Sequence, residues 1–325
     1  MSDLEADVAE DHQKRCEMTD TERLLLIAPP LMNRTPAFDR AACLAKVKGA
    51  CLHIVAFDYV EGVAEAALVN NEAIQEMRAG YMDRHHRWLE MQADGIRHSG
   101  AEVTTEVVWV AKPFDEILEH VRGINPTMVI KDLHHESWLS RAFFTSLDRR
   151  LLRDCPVEMH LVASVRHGIP RKILAAVDPF RLDDQFRHLN DQIITAALRL
   201  AEQCDAQLHV LHAYDLSYIH ALDGGSGYRN AVMDELYEDQ QRGFGFLADR
   251  YGVPTERRHF VTGSPARVIE SFMNDHDIDV VVVGAVHRDL MNRLLGSTTA
   301  HLINHLPSSL LTVIPQTDET PRAQL

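Results

Sequence analysis

The residues best placed by type and spacing to do chemistry lie between Val280 and Pro315. Four valines, Val280 to Val283, form a short apolar β-branched run, which predicts a strand buried on both faces. Gly284 ends that run, and a polar loop carrying His287, Arg288 and Arg293 leads to Gly296, Ser297, Thr298 and Thr299. Ser297 can cap a new helix, whose apolar positions Ala300, Ile303 and Leu306 keep a helical spacing. Pro307 stops it, and Leu310 to Ile314 reads as a second short strand. Strand, glycine, loop, Gly-Ser and helix is one way in which an α/β sheet builds an anion cradle. Glycines let the backbone approach a phosphate, and unpaired N–H groups at the helix N-terminus face it. Arg288 and Arg293 could neutralise phosphate charge. The lysine that follows the last glycine of a P-loop is absent.

This stretch resembles the C-terminal end of a universal stress protein domain, whose ATP-binding members carry Gly-x2-Gly-x9-Gly-Ser/Thr. Here the pattern reads Gly284-x2-His287-x8-Gly296-Ser297, with histidine for the middle glycine and a second gap one residue shorter. The resemblance implies an ATP site, with magnesium, in the second half of the chain. It assigns Asp178 to the adenine and ribose, Ala213 to the adenine, and Gly284, Gly296, Ser297 and Thr298 to the phosphates. His287 either brings a side chain where glycine has none, or donates a hydrogen bond to a phosphate. Asp178 also reads as a turn residue before Pro179, and Ser297 as a plain helix cap.

The rest of the chain supplies the scaffold. Leu24–Ala28, Leu52–Phe57, Val103–Val110, Met128–Ile130 and Val157–Val162 read as strands. Helices are expected around Ala41–Ala45, over Asn71–His98 and Phe114–Val121, and over Ser146–Asp154. This alternation predicts a parallel sheet with crossover helices on both faces. The order then repeats at an offset near 150 residues. Lys172–Pro179 answers Arg23–Pro30, Leu208–Val210 answers Leu52–Ile54, and Ser264–Glu270 answers Lys112–Leu118. Val282 to Gly284 answers Ile130-Lys131, which puts Lys131 in the place of Gly284.

The fold class is therefore α/β in two copies. The resemblance makes these two tandem universal stress protein domains, each a five-stranded parallel sheet with helices on both faces. That fold is Rossmann-like and similar to the adenine nucleotide α-hydrolases. The expected boundaries are a flexible acidic tail over 1–20, a first domain over 21–163 and a linker over 164–170. A second domain spans 171–315, with a tail over 316–325. In the first domain Pro29 stands for the aspartate, Lys131 for the first glycine and Thr145-Ser146 for the Gly-Ser. Asp148 is expected in the first turn of the following helix, where a phosphate would meet like charge. ATP is therefore expected in the second domain alone, with the first serving as its partner or as a pocket for an apolar small ligand. In single-domain relatives two subunits pair through their last strands. The resemblance implies that Val157–Val162 and Leu310–Ile314 pair likewise as an intramolecular pseudo-dimer, with a homodimer as a further possibility.

Composition narrows the function. A formal net charge of −15 repels nucleic acid and anionic membranes. No apolar run reaches the roughly 20 residues of a membrane span, and residues 1–20 lack the apolar core of a secretory signal. Five cysteines without a CxxC pair fit a reducing cytoplasm. His301 and His305 share a helix face, but no glutamate follows His301 and no third ligand is evident; His85-His86 and His134-His135 are adjacent pairs. No metal site is expected. Asp223 to Gly227 reads as a flexible loop or a lid over the Gly284 rim. No Gly-x-Ser-x-Gly elbow, zinc signature or acid pair supports hydrolysis. The expected function is a non-enzymatic cytoplasmic stress-response sensor or scaffold with protein partners not readable from the sequence. An ATP switch with slow hydrolysis is the alternative.

Overall fold

The computed structural model describes residues 22–58, 71–110, 112–133, 141–180, 188–215, 229–285 and 296–314. The chain divides into two compact units, Met1–Ile169 and Pro170–Leu325.

In the first unit the order is β1 (Arg23–Ala28), α1 (Pro36–Lys48), β2 (Cys51–Asp58), α2 (Asn71–Arg97), β3 (Val103–Trp109), α3 (Pro113–Ile124), β4 (Met128–Asp132), α4 (Arg141–Asp154) and β5 (Glu158–Val162). The strands lie in the order β3-β2-β1-β4-β5, and every described pairing among them is parallel. Apolar residues cluster at the centre of the sheet. Leu24, Leu25, Leu26, Leu52, Ile54 and Ile130 are fully buried, as strands covered on both faces require. Helix ends follow local chemistry. Pro36 opens α1 and Pro113 opens α3, where a missing N–H costs nothing. Gly49, with φ 61°, and Asn125, with φ 50°, close the same two helices in the left-handed conformation. The unit's last segment folds back onto α1, where the fully buried Arg40 donates through Nη1 to the Gly168 carbonyl at 3.1 Å.

The second unit repeats this plan. It comprises β6 (Lys172–Ala176), α5 (Leu189–Cys204), β7 (Gln207–Tyr214), α6 (Arg229–Arg250), β8 (Arg258–Thr262), α7 (Pro265–Asp275), β9 (Val280–Gly284), α8 (Ser297–His305) and β10 (Ser309–Val313). Its strands run β8-β7-β6-β9-β10, again in parallel. The order reverses between β6 and β9, as it does between β1 and β4, so each sheet opens a crevice at the carboxyl ends of those strands.

Three local expectations need correction. Helix α4 begins at Arg141 rather than Ser146, so Asp148 lies beyond its second turn and not in its first. Gly296, with extended ψ of 143°, is the cap of α8, and Ser297 is its first residue. Lys131 does not stand in the place of Gly284. Leu24 pairs with Met128 and Ile173 with Val280, so equal steps along β4 and β9 bring Asp132, one residue later, to the position of Gly284.

Candidate functional site

Three strand ends define the crevice of the second unit. Val177 follows β6, Leu211 to Ala213 lie near the end of β7, and Val283-Gly284 close β9. They enclose a cavity of about 140 Å³, which Asp178, Leu189, Asn190, Pro265, Thr298 and Thr299 also line. Asp178, Ala213, Gly284 and Thr298, four of the residues singled out from the sequence, are thus brought together. Gly296 caps the helix whose first turn carries Thr298 and is not itself among the residues lining the cavity, and the side chain of Ser297 lies outside the described residues. His287, Arg288 and Arg293 lie outside the described residues, as do the Asp223–Gly227 loop, Thr145-Ser146 side chains and His134-His135. The cavity is smaller than the roughly 300 Å³ or more that small-molecule sites usually enclose.

The position of Asp178 is fixed by a residue that the sequence reading missed. Its backbone N–H donates to Asn190 Oδ1 at 2.8 Å, and Asn190 Nδ2 donates back to the Asp178 carbonyl at 2.8 Å. Both backbone groups are satisfied, and among the described residues the exposed carboxylate has no hydrogen-bond partner. The signal available in the sequence was an asparagine in the first turn of a helix after an Asp-Pro turn, a type that readily bonds to nearby backbone.

Gly284 is required by packing. An added Cβ would lie 2.6 Å from Leu189 Cδ2 and 2.9 Å from Cδ1, so the start of α5 rests directly on the strand. Thr299 Oγ1 donates to the Gly284 carbonyl at 3.3 Å and holds the start of α8 against the same point. His212 closes the inner wall. Its Nδ1–H donates to the Val177 carbonyl at 3.0 Å, while Phe180, Phe244 and Phe260 surround its ring. A buried, hydrogen-bonded imidazole among aromatic rings is a rigid wall.

Among the described residues, the first unit has different side chains at three equivalent positions. Arg23 pairs with Cys51 and Lys172 with Gln207, which sets Phe57 against Ala213 and Pro29 against Asp178. Asp132 stands where Gly284 does, and its carboxylate accepts from Thr35 Oγ1 and from the Ala37 N–H at 3.1 Å. A carboxylate of the chain itself thus occupies the N-terminus of α1, where the helix dipole favours an anion. Lys131, beside it, extends its ammonium to Asp148 at 2.9 Å and to the Asp132 carbonyl at 3.0 Å. Bulk, anion and counter-ion are all supplied from within.

Metal chemistry finds no support among the described residues, where no group of three or more ligating side chains is arranged to hold an ion. His301 and His305 lie with ring centroids 4.8 Å apart and their planes tilted by 33°, and Glu270 of α7 lies 3.7 Å from His301. Among the described residues no helix is long and apolar enough to cross a membrane.

The pattern of two such units settles the family. The universal stress protein family model matches residues 33–163 and again 170–313. The chain belongs to the universal stress protein family. It is similar in tandem organisation to universal stress protein E of Escherichia coli (strain K12), at 27% identity over 92% of this chain and 96% of that protein. A homologue of that protein from Haemophilus influenzae is 27% identical over 77% of this chain and 82% of its own. Among solved structures, a Pseudomonas aeruginosa PAO1 protein of unknown function covers 91% of this chain and 93% of its own at 23% identity, with a TM-score of 0.67. A universal stress protein from Archaeoglobus fulgidus covers 91% and 97% at 16% identity, with a TM-score of 0.61. These likenesses establish a tandem α/β, Rossmann-like stress-response protein.

Proposed function

We propose that the chain is a non-enzymatic sensor or scaffold whose second unit holds the only adenine-nucleotide site, and whose first unit has exchanged its site for internal contacts. The observation that carries this reading is the contrast at one register position. Gly284 lines the cavity with a bare Cα packed against Leu189 and adds no charge there, and Asp132 puts a carboxylate at the corresponding place in the first unit. Asp178, with its backbone fixed by Asn190 and its carboxylate uncommitted among the described residues, is suited to a ribose hydroxyl. The start of α8, with Gly296, Ser297 and Thr298, is suited to phosphate oxygens. Magnesium, if it accompanies ATP, would be held by phosphate oxygens rather than by a ligand cage of the protein.

The test is isothermal titration of the full chain with Mg-ATP, after a denatured sample has been checked for carried-over nucleotide. One ATP per chain is the expected result. Two per chain would overturn the account of the first unit, and none, with no carried-over nucleotide, would leave a nucleotide-free scaffold. The same proposal includes a cytoplasmic location and a role for the first unit as the structural partner of the second. Phe57 stands in the first unit where Ala213 does in the second, and the larger side chain disfavours the alternative of an apolar ligand bound there.

A further inference from the structure

The two repeats carry a histidine at the same point of their second strands, facing a carboxylate in one and an imidazole in the other. His53 on β2 and His209 on β7 correspond, because Arg23 pairs with Cys51 and Lys172 with Gln207. On the adjoining strands Val55 faces Glu106, and Leu211 faces His259. Glu106 and His259 therefore fill one slot in two copies of the sheet.

In the first unit His53 Nδ1 lies 2.7 Å from Thr104 Oγ1, and its Nε2 lies 3.3 Å from Glu106 Oε2. His120 Nε2 approaches the other carboxylate oxygen at 3.4 Å. The hydrogen bond from His53 holds Glu106 below the usual carboxylate range against the opposing effect of burial, and His120 adds to it. Protonating either imidazole strengthens this contact.

In the second unit His209 Nδ1 lies 3.1 Å from His259 Nε2, with the rings inclined at 20°. One nitrogen must donate and the other must be bare, so this hydrogen bond requires at least one neutral imidazole. The other charged groups acting on His209 are Arg257 just before β8, Lys172 on β6 and His276 at the end of α7. All are cationic or become so in acid. Burial, followed by the charges of His259, Arg257, Lys172 and His276, pushes His209 down to about 4. Burial and then His276 lower His259 as well.

We infer that the His209–His259 contact is an acid-sensitive joint between β7 and β8 of the second unit, lost on protonation, while the corresponding His53–Glu106 contact of the first unit persists. The sign follows from linkage. His209 is harder to protonate folded than unfolded, so its contribution is complete above about pH 6.5 and declines as pH falls toward about 4. Glu106 contributes down to the ordinary carboxylate range, and its contribution declines only below it.

The test places the first unit's residue in the second unit's slot, as His259→Glu in the full chain. Trp88, Trp109 and Trp138 are the only tryptophans, and all precede residue 170, so fluorescence reports the first unit while far-UV circular dichroism reports both. His160, buried in the first unit, adds an acid lability of its own that the tryptophan signal separates. Between pH 7.5 and pH 5.0 the second-unit melting temperature of the wild-type chain should fall by ~4 °C more than that of His259→Glu. Equal falls would overturn the proposal. A second measurement covers a variant that fails to fold: the imidazole resonances of wild-type His209, followed by NMR against pH, should have their midpoint far below 6.5. A midpoint at or above 6.5 would equally overturn it.

Discussion

Asp132 and Gly284 stand at the same place in two copies of one sheet, Asp132 paired with Val162 and Gly284 with Val313. At one position a carboxylate reaches across to the start of α1, and at the other a leucine of α5 lies against a bare Cα. The two repeats thus differ at this junction of fourth strand and first helix.

Gly284→Ala should destabilise the second unit by about 1–2 kcal/mol, because the new methyl group would overlap Leu189 at 2.6 Å. Adding Leu189→Ala should relieve the overlap at the expense of a cavity, so that the two effects are not additive. Denaturant unfolding of the single and double variants measures this coupling, and additive losses would show that Leu189 is not what excludes a side chain.

Asp178→Ala should abolish nucleotide binding while changing stability by less than about 0.5 kcal/mol, as expected of an exposed side chain that has no partner among the described residues. Asn190→Ala should do both kinds of harm, costing about 1–2 kcal/mol for its two hydrogen bonds and weakening binding by releasing the turn. Titration calorimetry and thermal melting, done together, separate the two roles.

Lys131→Ala should leave nucleotide binding untouched but destabilise the first unit by about 3 kcal/mol, since it strands the buried Asp148 carboxylate. Lys131→Met with Asp148→Leu should recover most of the loss, because an apolar pair of similar size replaces two desolvated charges. Tryptophan fluorescence during urea unfolding is the readout. A Lys131→Ala chain as stable as the wild type would mean that the pair is not formed in solution.

The fully buried His160 is held well below its ordinary value by burial first and then by the charges of Arg40 and Lys48. The unfolded chain binds the proton more readily, so the first unit should lose stability as pH falls below about 6.5, by at most about 1.4 kcal/mol per pH unit from this group. His160→Leu should flatten that part of the tryptophan-monitored pH profile. An unchanged slope would assign the acid sensitivity to other groups.

Much of this architecture is legible in the sequence because strands covered on both faces write long apolar runs. Leu24–Ala28 and Val280–Val283 announce themselves in this way, and Asn71–Arg97 does so through helical periodicity. The fourth strand of the first unit does not. It ends in Lys131 and Asp132, two charged residues that read as a loop and are in fact buried, each satisfied by a partner distant in sequence. The sequence alone therefore matches the repeat one residue short and sets Lys131, not Asp132, at the Gly284 position. Asn190 escaped notice for a related reason. Its partner is backbone, and a side chain that bonds to a carbonyl and an N–H leaves no complementary residue type to search for. Asp178, Ala213, Gly284 and Thr298 were found because their spacing matches a pattern, while Leu189, which gives Gly284 its steric reason, has no pattern of its own.

The bond from Arg40 to the Gly168 carbonyl has a practical bearing on how the molecule can be divided. The family match for the first repeat ends at residue 163, five residues before that carbonyl. A fragment cut there would take an acceptor away from a guanidinium that is fully buried, and would uncover Cys43, against whose sulfur Gly168 is packed. A first-repeat fragment ending at Ile169 keeps both. The shorter piece is the one to expect in inclusion bodies.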